Sequence, residues 1–179
     1  MVIAMAGRRI DAPDSKSPRF PLQNVPVVER RLDELFEREA ATGLVGSAAC
    51  GADLVALKVA GGRGMRRRIV LPFGRDKFRA TSVTDRPGDW GPVYDRVLAD
   101  LDPTREVVTL AGRGEGYDAY AAANEVILQE AATLARESNT EVLAVLIWEG
   151  APRAGDDVTA AFGDAARKRG WRVEQVNTL

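Results

Sequence analysis

Apolar residues along this chain alternate between two patterns: short continuous runs, and stretches in which they recur every three to four positions. Short runs of this kind read as strands buried on both faces, and the periodic stretches as helices with one apolar stripe. The first run, Val2-Ile3-Ala4-Met5-Ala6, ends at Gly7-Arg8-Arg9. Residues 10–26 carry Pro13, Pro18, Pro21 and Pro26 and read as a long irregular connection. Val28, Leu32, Leu35 and Phe36 predict a helix over 27–42. Leu44-Val45 is a second, very short strand. A helix over 50–60 follows, stopped by Gly61-Gly62.

Residues 68–72 predict the third strand and 76–80 a short helix; 81–89 read as irregular, a surface loop or a lid. The spacing of Trp90, Val93, Val97, Leu98 and Leu101 predicts a helix over 90–101. A strand over 107–110, a Gly-rich turn over 112–116 and a long helix over 117–136 come next. Residues 142–148 form the most apolar run and the expected central strand. A loop over 149–157, a helix over 158–169 and a strand over 171–176 complete the chain. This strand–helix alternation predicts one α/β domain over residues 1–179, three layers deep, around a mostly parallel sheet of about six strands. Ligands of such folds sit at the carboxyl ends of the strands, where the connections change direction.

Composition narrows the chemistry. The chain has 179 residues, a formal net charge of −1, one Cys and no His. Without His there is no Ser-His-Asp triad, no Cys-His pair and no ordinary zinc site, and no metal site is expected. Near-neutral charge argues against binding nucleic acid over the whole surface. No apolar run approaches the roughly 20 residues of a membrane span, and the first nine residues are too short for a signal peptide. One Cys fits a reducing compartment, and cytoplasm is the expected location. Lys occurs only at 16, 58, 77 and 168, and Arg elsewhere. That bias reads either as a preference for two-pronged contact with phosphate or as the imprint of a GC-rich genome.

The strand tips hold the candidate site residues. Gly46-Ser47-Ala48-Ala49-Cys50-Gly51-Ala52-Asp53 is a small-residue turn entering a helix. Its amides and the helix dipole suit a phosphate, and small residues equally suit tight helix–sheet packing. Ala52-Asp53 stands where a P-loop needs Lys and Ser or Thr, so a P-loop NTPase is excluded. The turn at 112–116 misses the dinucleotide spacing. At a helix start the dipole can lower the pKa of the Cys50 thiol; with no His beside it, the residue reads better as packing. Asp53 is either an N-terminal helix charge or an acceptor for a ligand hydroxyl. Asn124 lies on the apolar stripe of Tyr120, Ile127, Leu128, Ala131 and Leu134. A polar amide there either ties down a loop or meets a ligand. Tyr117 and Tyr120 are candidates to wall a base. Gly7, Arg8 and Arg9 follow the first strand, with Arg8 or Arg9 as phosphate clamps. In the loop after Trp148, Gly150 and Thr159 suit ribose or phosphate, and Asp156 or Asp157 an N-cap.

Taken in order, these pieces resemble the SLOG superfamily of Rossmann-like proteins, which includes the LOG-type phosphoribohydrolases and the DNA-processing protein A family. The matching residues are Gly46-Ser47-Ala48-Ala49-Cys50-Gly51-Ala52-Asp53, Tyr120-Ala121-Ala122-Ala123-Asn124-Glu125-Val126-Ile127, and the apolar strand to Trp148 with Gly155-Asp156-Asp157-Val158-Thr159. LOG enzymes carry Pro-Gly-Gly-x-Gly-Thr-x-x-Glu after that strand. Here Thr159 aligns with the Thr, Phe162 falls at the Glu, and Gly150 and Gly155 do not reproduce the Gly run. The resemblance implies a Rossmann-like domain that binds a nucleotide or ribose phosphate as a sensor or regulatory module. Phosphates would rest on Gly46, Ser47 and Gly51, and a homodimer through helix faces fits related folds. No further cofactor is implied. Two other readings stand beside it. One is a hydrolase of an N-glycosidic or phosphate bond, with Glu149, Asp156 or Asp157 as general base, its pKa raised by burial. The other is a protein-interaction scaffold.

Overall fold

The structure is a computed structural model that describes residues 1–111 and 116–179; all but the last residue of the Gly-rich turn at 112–116 lies outside the described residues. Six strands, β1 (Val2–Gly7), β2 (Gly43–Gly46), β3 (Arg66–Leu71), β4 (Val107–Thr109), β5 (Val142–Trp148) and β6 (Arg172–Asn177), form one sheet in the order β4-β3-β2-β1-β5-β6. Every pairing is parallel. β1 lies at the centre, with Val2 opposite Gly43 on one side and Val142 on the other. The architecture is α/β and Rossmann-like.

Strand alternation divides the core into two layers. Ile3, Met5, Leu143, Val145 and Ile147 pack with α1 (Val25–Arg38), α2 (Ala52–Gly62) and α4 (Trp90–Ala99). Val2, Ala4, Ala6, Ala144, Leu146 and Trp148 pack against α5 (Tyr117–Glu137) and α6 (Val158–Lys168). The chain winds outward from β1 to β4, then returns through α5 to lay β5 beside β1. The connections leaving β1 and β5 therefore pass to opposite faces, and their carboxyl ends part to form the crevice of the fold.

Several boundaries differ from the sequence pattern. α1 begins at Val25 with Pro26 in its first turn, where the missing N–H costs nothing, and it ends at Arg38 rather than 42. Ala40 takes the left-handed conformation (φ 45°), and Ala41 N–H closes on Phe36 O. That is a helix-terminating geometry that periodicity does not reveal. α2 starts two residues later than expected and runs through Gly61-Gly62. The short helix α3 (Arg75–Phe78) continues into a π turn, Arg79–Val83, so the segment read as irregular from 81 is helical to Val83. Tyr94, which the apolar spacing left out, is 2% exposed in α4, whereas Val93 and Leu98 are only half-buried.

The connection from β1 to α1 is pinned at both ends. The Asp11 carboxylate accepts the N–H groups of Arg19 (3.1 and 3.0 Å) and Phe20 (3.1 Å), and Asp11 N–H donates to Phe20 O (3.0 Å). Ile10 and Phe20 are buried, each contributing about 1.5–3 kcal/mol of apolar burial. Its exposed tip thus hangs from a fixed neck.

Candidate functional site

At the parted ends of β1 and β5 lies a cleft with two joined compartments. The wider, about 430 Å³, is lined by Arg8, Arg9, Arg19, Arg86 and Arg153 together with Asp11. The narrower, about 90 Å³, reaches inward to Ser47, Asp53 and Asn124 among Met5, Phe78 and Ile127. Gly7, Arg9, Tyr120, Val158 and Thr159 line both. A larger hollow of about 760 Å³ lies at the opposite, amino end of the sheet, away from these residues.

Arg8, the first residue past β1, is 4% exposed. Its Nε donates to Glu149 Oε2 (2.7 Å) and its Nη2 to Glu149 Oε1 (3.0 Å) and Ala151 O (2.9 Å). Its Nη1 donates to Asp157 Oδ1 (2.8 Å), and the guanidinium lies 5.3 Å from the Trp148 ring centre. Arg19 donates to Glu149 as well. Asp157 is the N-cap of α6, accepting from Thr159 N–H (2.9 Å), Ala160 N–H (3.1 Å) and Arg153 N–H (2.7 Å). Arg8 thus clasps the tip of β1 to the loop after β5, with its fork spent on the protein's own carboxylates.

The pKa values follow. Burial alone would raise both acids, but the Arg8 hydrogen bonds, aided by backbone donors, overcome it and hold Glu149 and Asp157 below the usual carboxylate range. The expectation of a raised pKa at these two positions is corrected: the partner cation, invisible in sequence, reverses the sign. Asp156 is exposed.

The turn before α2 is likewise engaged from within. Ala49 N–H donates to Asp53 Oδ2 (3.0 Å), Cys50 N–H to Ser82 O (2.9 Å) and Ala52 N–H to Arg8 O (3.0 Å). Gly51 takes φ 92°, and a Cβ there would stand 2.8 Å from Ile10 N and 2.9 Å from Arg8 O. Its smallness thus serves the close passage of the chain after β1. Gly7 serves the same crossing, since its Cβ would meet that of Ala52 at 2.3 Å. Cys50 is fully buried, and burial pushes its thiol up rather than the helix dipole lowering it. Gly46 packs on Met5 inside the sheet, and Gly150 is exposed outside both compartments.

Other residues of the sequence reading do converge on the cleft. Asn124 Nδ2 donates to Val158 O (2.7 Å), tying α5 to the start of α6. Tyr120 shares a hydrogen bond with Ser82 Oγ (2.9 Å) and sets its ring edge-on to Phe73. Tyr117 is exposed, on neither wall. Three buried atoms have no hydrogen-bond partner among the described residues and belong to cleft-lining side chains: Arg9 Nε, Ser47 Oγ and Arg86 Nε. Buried polar atoms are rarely left so; a fourth, Arg68 Nε, lies on β3 away from the cleft. Burial pushes the Asp53 carboxyl up to about 7, against the Ala49 amide and the Arg9 charge.

Sequence reasoning gave no individual role to Arg19, Asp85, Arg86 or Arg153, although each lies in a loop it singled out. Asp85 pairs with Arg9, and its Oδ2 forms an ion pair with Arg86 Nε at 3.7 Å, beyond hydrogen-bond distance. The signal available was weak: basic residues in loops flanking a strand tip. Among the described residues, no group of three or more acidic or Cys side chains could hold a metal ion, and no helix is long and apolar enough to cross a membrane.

No family model matches the chain, and no curated protein does. Among solved structures it is similar to the X-ray structure of DNA processing protein A (DprA) from Streptococcus pneumoniae, at 18% identity and a TM-score of 0.41. The similarity covers 96% of this chain, which spans 57% of that one. The fold assignment stands on the strand order and helix placement themselves.

Proposed function

We propose that the cleft at the carboxyl ends of β1 and β5 binds a nucleotide or ribose phosphate, in a sensor or regulatory role. The observation that carries this reading is a set of buried side-chain atoms with no hydrogen bond among the described residues, Arg9 Nε, Ser47 Oγ and Arg86 Nε, around one Arg-lined crevice, the last of them within ion-pair reach of Asp85. Guanidinium and hydroxyl donors suit phosphate oxygens, and charge-assisted bonds contribute about 1.5–3 kcal/mol each. The phosphate position moves from the α2 amides to Arg9, Ser47 and Arg86, because Arg8 O, Ser82 O and Asp53 occupy those amides. Tyr120 and Thr159 wall the junction where a ribose would lie.

Hydrolysis through Glu149 or Asp157 is the weaker reading, since Arg8 holds both ionised and hydrogen-bonded. Burial pushes the Asp53 carboxyl on the cleft wall up to about 7, and it is the acid a hydrolase would use there.

The test is thermal unfolding with AMP, ADP, ATP, cyclic AMP, cyclic GMP and ribose 5-phosphate. At about 100 times the Kd a ligand adds about 2.7 kcal/mol, or roughly 5–10 °C for a chain of this size. Arg9→Ala, Ser47→Ala and Arg86→Ala should each remove the shift while folding normally. No shift with any of these compounds would overturn the reading and favour a protein-interaction scaffold.

A further inference from the structure

Among the described residues the narrow end of the cleft holds one acidic side chain, Asp53, which neither the Arg8 clasp nor the α6 cap uses. It stands in the first turn of α2 and is 8% exposed. Its Oδ2 accepts from Ala49 N–H (3.0 Å), and among the described residues nothing donates to Oδ1. Ser47, with its unpartnered Oγ, and Arg9, with its unpartnered Nε, line the same compartment.

The geometry points to Asp53 as a binding residue that works in its neutral form: its Oδ1–H donates to an oxygen of a phosphate compound in the cleft, so that binding takes up one proton from solution. The inference rests on the proposed reading of the cleft. An ionised carboxylate and a phosphate oxygen are both acceptors, and they meet at close range only with a proton between them. A guest filling the compartment also removes the water that would screen two like charges.

The groups facing Asp53 decide how strongly this holds. Arg9, from the loop after β1, favours the charged form, but Asp85 draws on the same guanidinium. Cys50, in the same turn, carries a thiol that burial pushes up. From α5, Tyr120 spends its hydroxyl on Ser82. Phe78 from α3 and Val158 and Thr159 from α6 do not titrate. Burial has already brought the carboxyl to about 7, so the proton is available near neutrality.

The experiment is calorimetric titration of the full chain with AMP, ADP and ATP between pH 6 and 8.5, each in Tris and in HEPES. Asp53→Asn serves as reference: its amide accepts from Ala49, donates as the neutral acid would, and titrates nowhere. A pKa near 7 predicts that wild-type affinity falls about thirtyfold more than that of Asp53→Asn across this range. Proton uptake at pH 8.5 should exceed that of the variant by close to one, which cancels the titration of the ligand phosphate. Equal pH profiles in the two proteins overturn the inference and leave the cleft reading standing. So does a variant that unfolds normally on heating yet binds nothing, since the charge would then be required. No binding by either protein at any pH overturns both.

Discussion

Replacing Arg8 with Met keeps much of the aliphatic stem and removes the guanidinium that joins the two halves of the crevice. Two buried carboxylates lose their shared cation: the side chains of Glu149 and Asp157 are 9% and 3% exposed. Stranding buried charge in this way costs about 3–5 kcal/mol. Arg19 still reaches Glu149, and three amides still reach Asp157, which places the expected loss near the lower end, about 3–4 kcal/mol. For a domain of this length that lowers Tm by roughly 6–16 °C. The pH dependence gives a second check. In the wild type both acids titrate below their unfolded values, so their contribution is complete at neutral pH and is lost as pH falls below about 4. In the variant, burial without Arg8 raises both, and protonation relieves the stranded charge. The gap between the two proteins should therefore narrow as pH falls from 7 to about 4.5. Thermal or urea unfolding across that range measures it. A loss under about 1 kcal/mol, or one that pH leaves unchanged, would refute the argument. It would mean that the guanidinium is already solvated and free to meet a ligand.

Three further outcomes follow from the same geometry. Gly51→Ala places a Cβ at φ 92° and 2.8 Å from Ile10 N, so it should cost at least about 2 kcal/mol in unfolding and dislodge the chain after β1; near-neutral stability would show that this crossing yields easily. Asp53 has a raised pKa in the folded state, so wild-type stability falls as pH rises from about 4 to 7; Asp53→Asn should gain Tm over the wild type across that window and hold the gain above it, and a constant difference would contradict the burial of the charge. Asp85→Asn frees Arg9 of its anion and should tighten nucleotide binding severalfold at low salt, whereas unchanged affinity in a calorimetric titration would mean that the ligand does not compete for that guanidinium.

Much of the architecture is written locally, and for physical reasons. A strand buried on both faces must be apolar throughout, so β5 spans 142–148 as its composition predicts. A helix against a sheet needs a periodic stripe, so Val28, Leu32, Leu35 and Phe36 foretold the buried face of α1. Alternation of the two periods was enough for a parallel three-layer sheet, and the rule of strand ends drew attention to Ser47, Tyr120, Asn124 and Thr159, which do meet at one crevice.

What each side chain does there was decided only by folding. Arg8 and its acidic partners are 141 and 149 residues apart, and no periodicity joins them. A bare Arg after a strand reads as a phosphate clamp until two buried carboxylates are found around it. The amides before α2 read as a phosphate cradle until the Arg8 carbonyl and the Ser82 carbonyl are found on them. The same juxtapositions set the pKa values in opposite directions: cation contact depresses Glu149 and Asp157, whereas enclosure raises Asp53. Composition and spacing determine which segments become strands and helices, because burial acts on each segment's own pattern. Charge pairing and desolvation act between segments, and those belong to the tertiary structure.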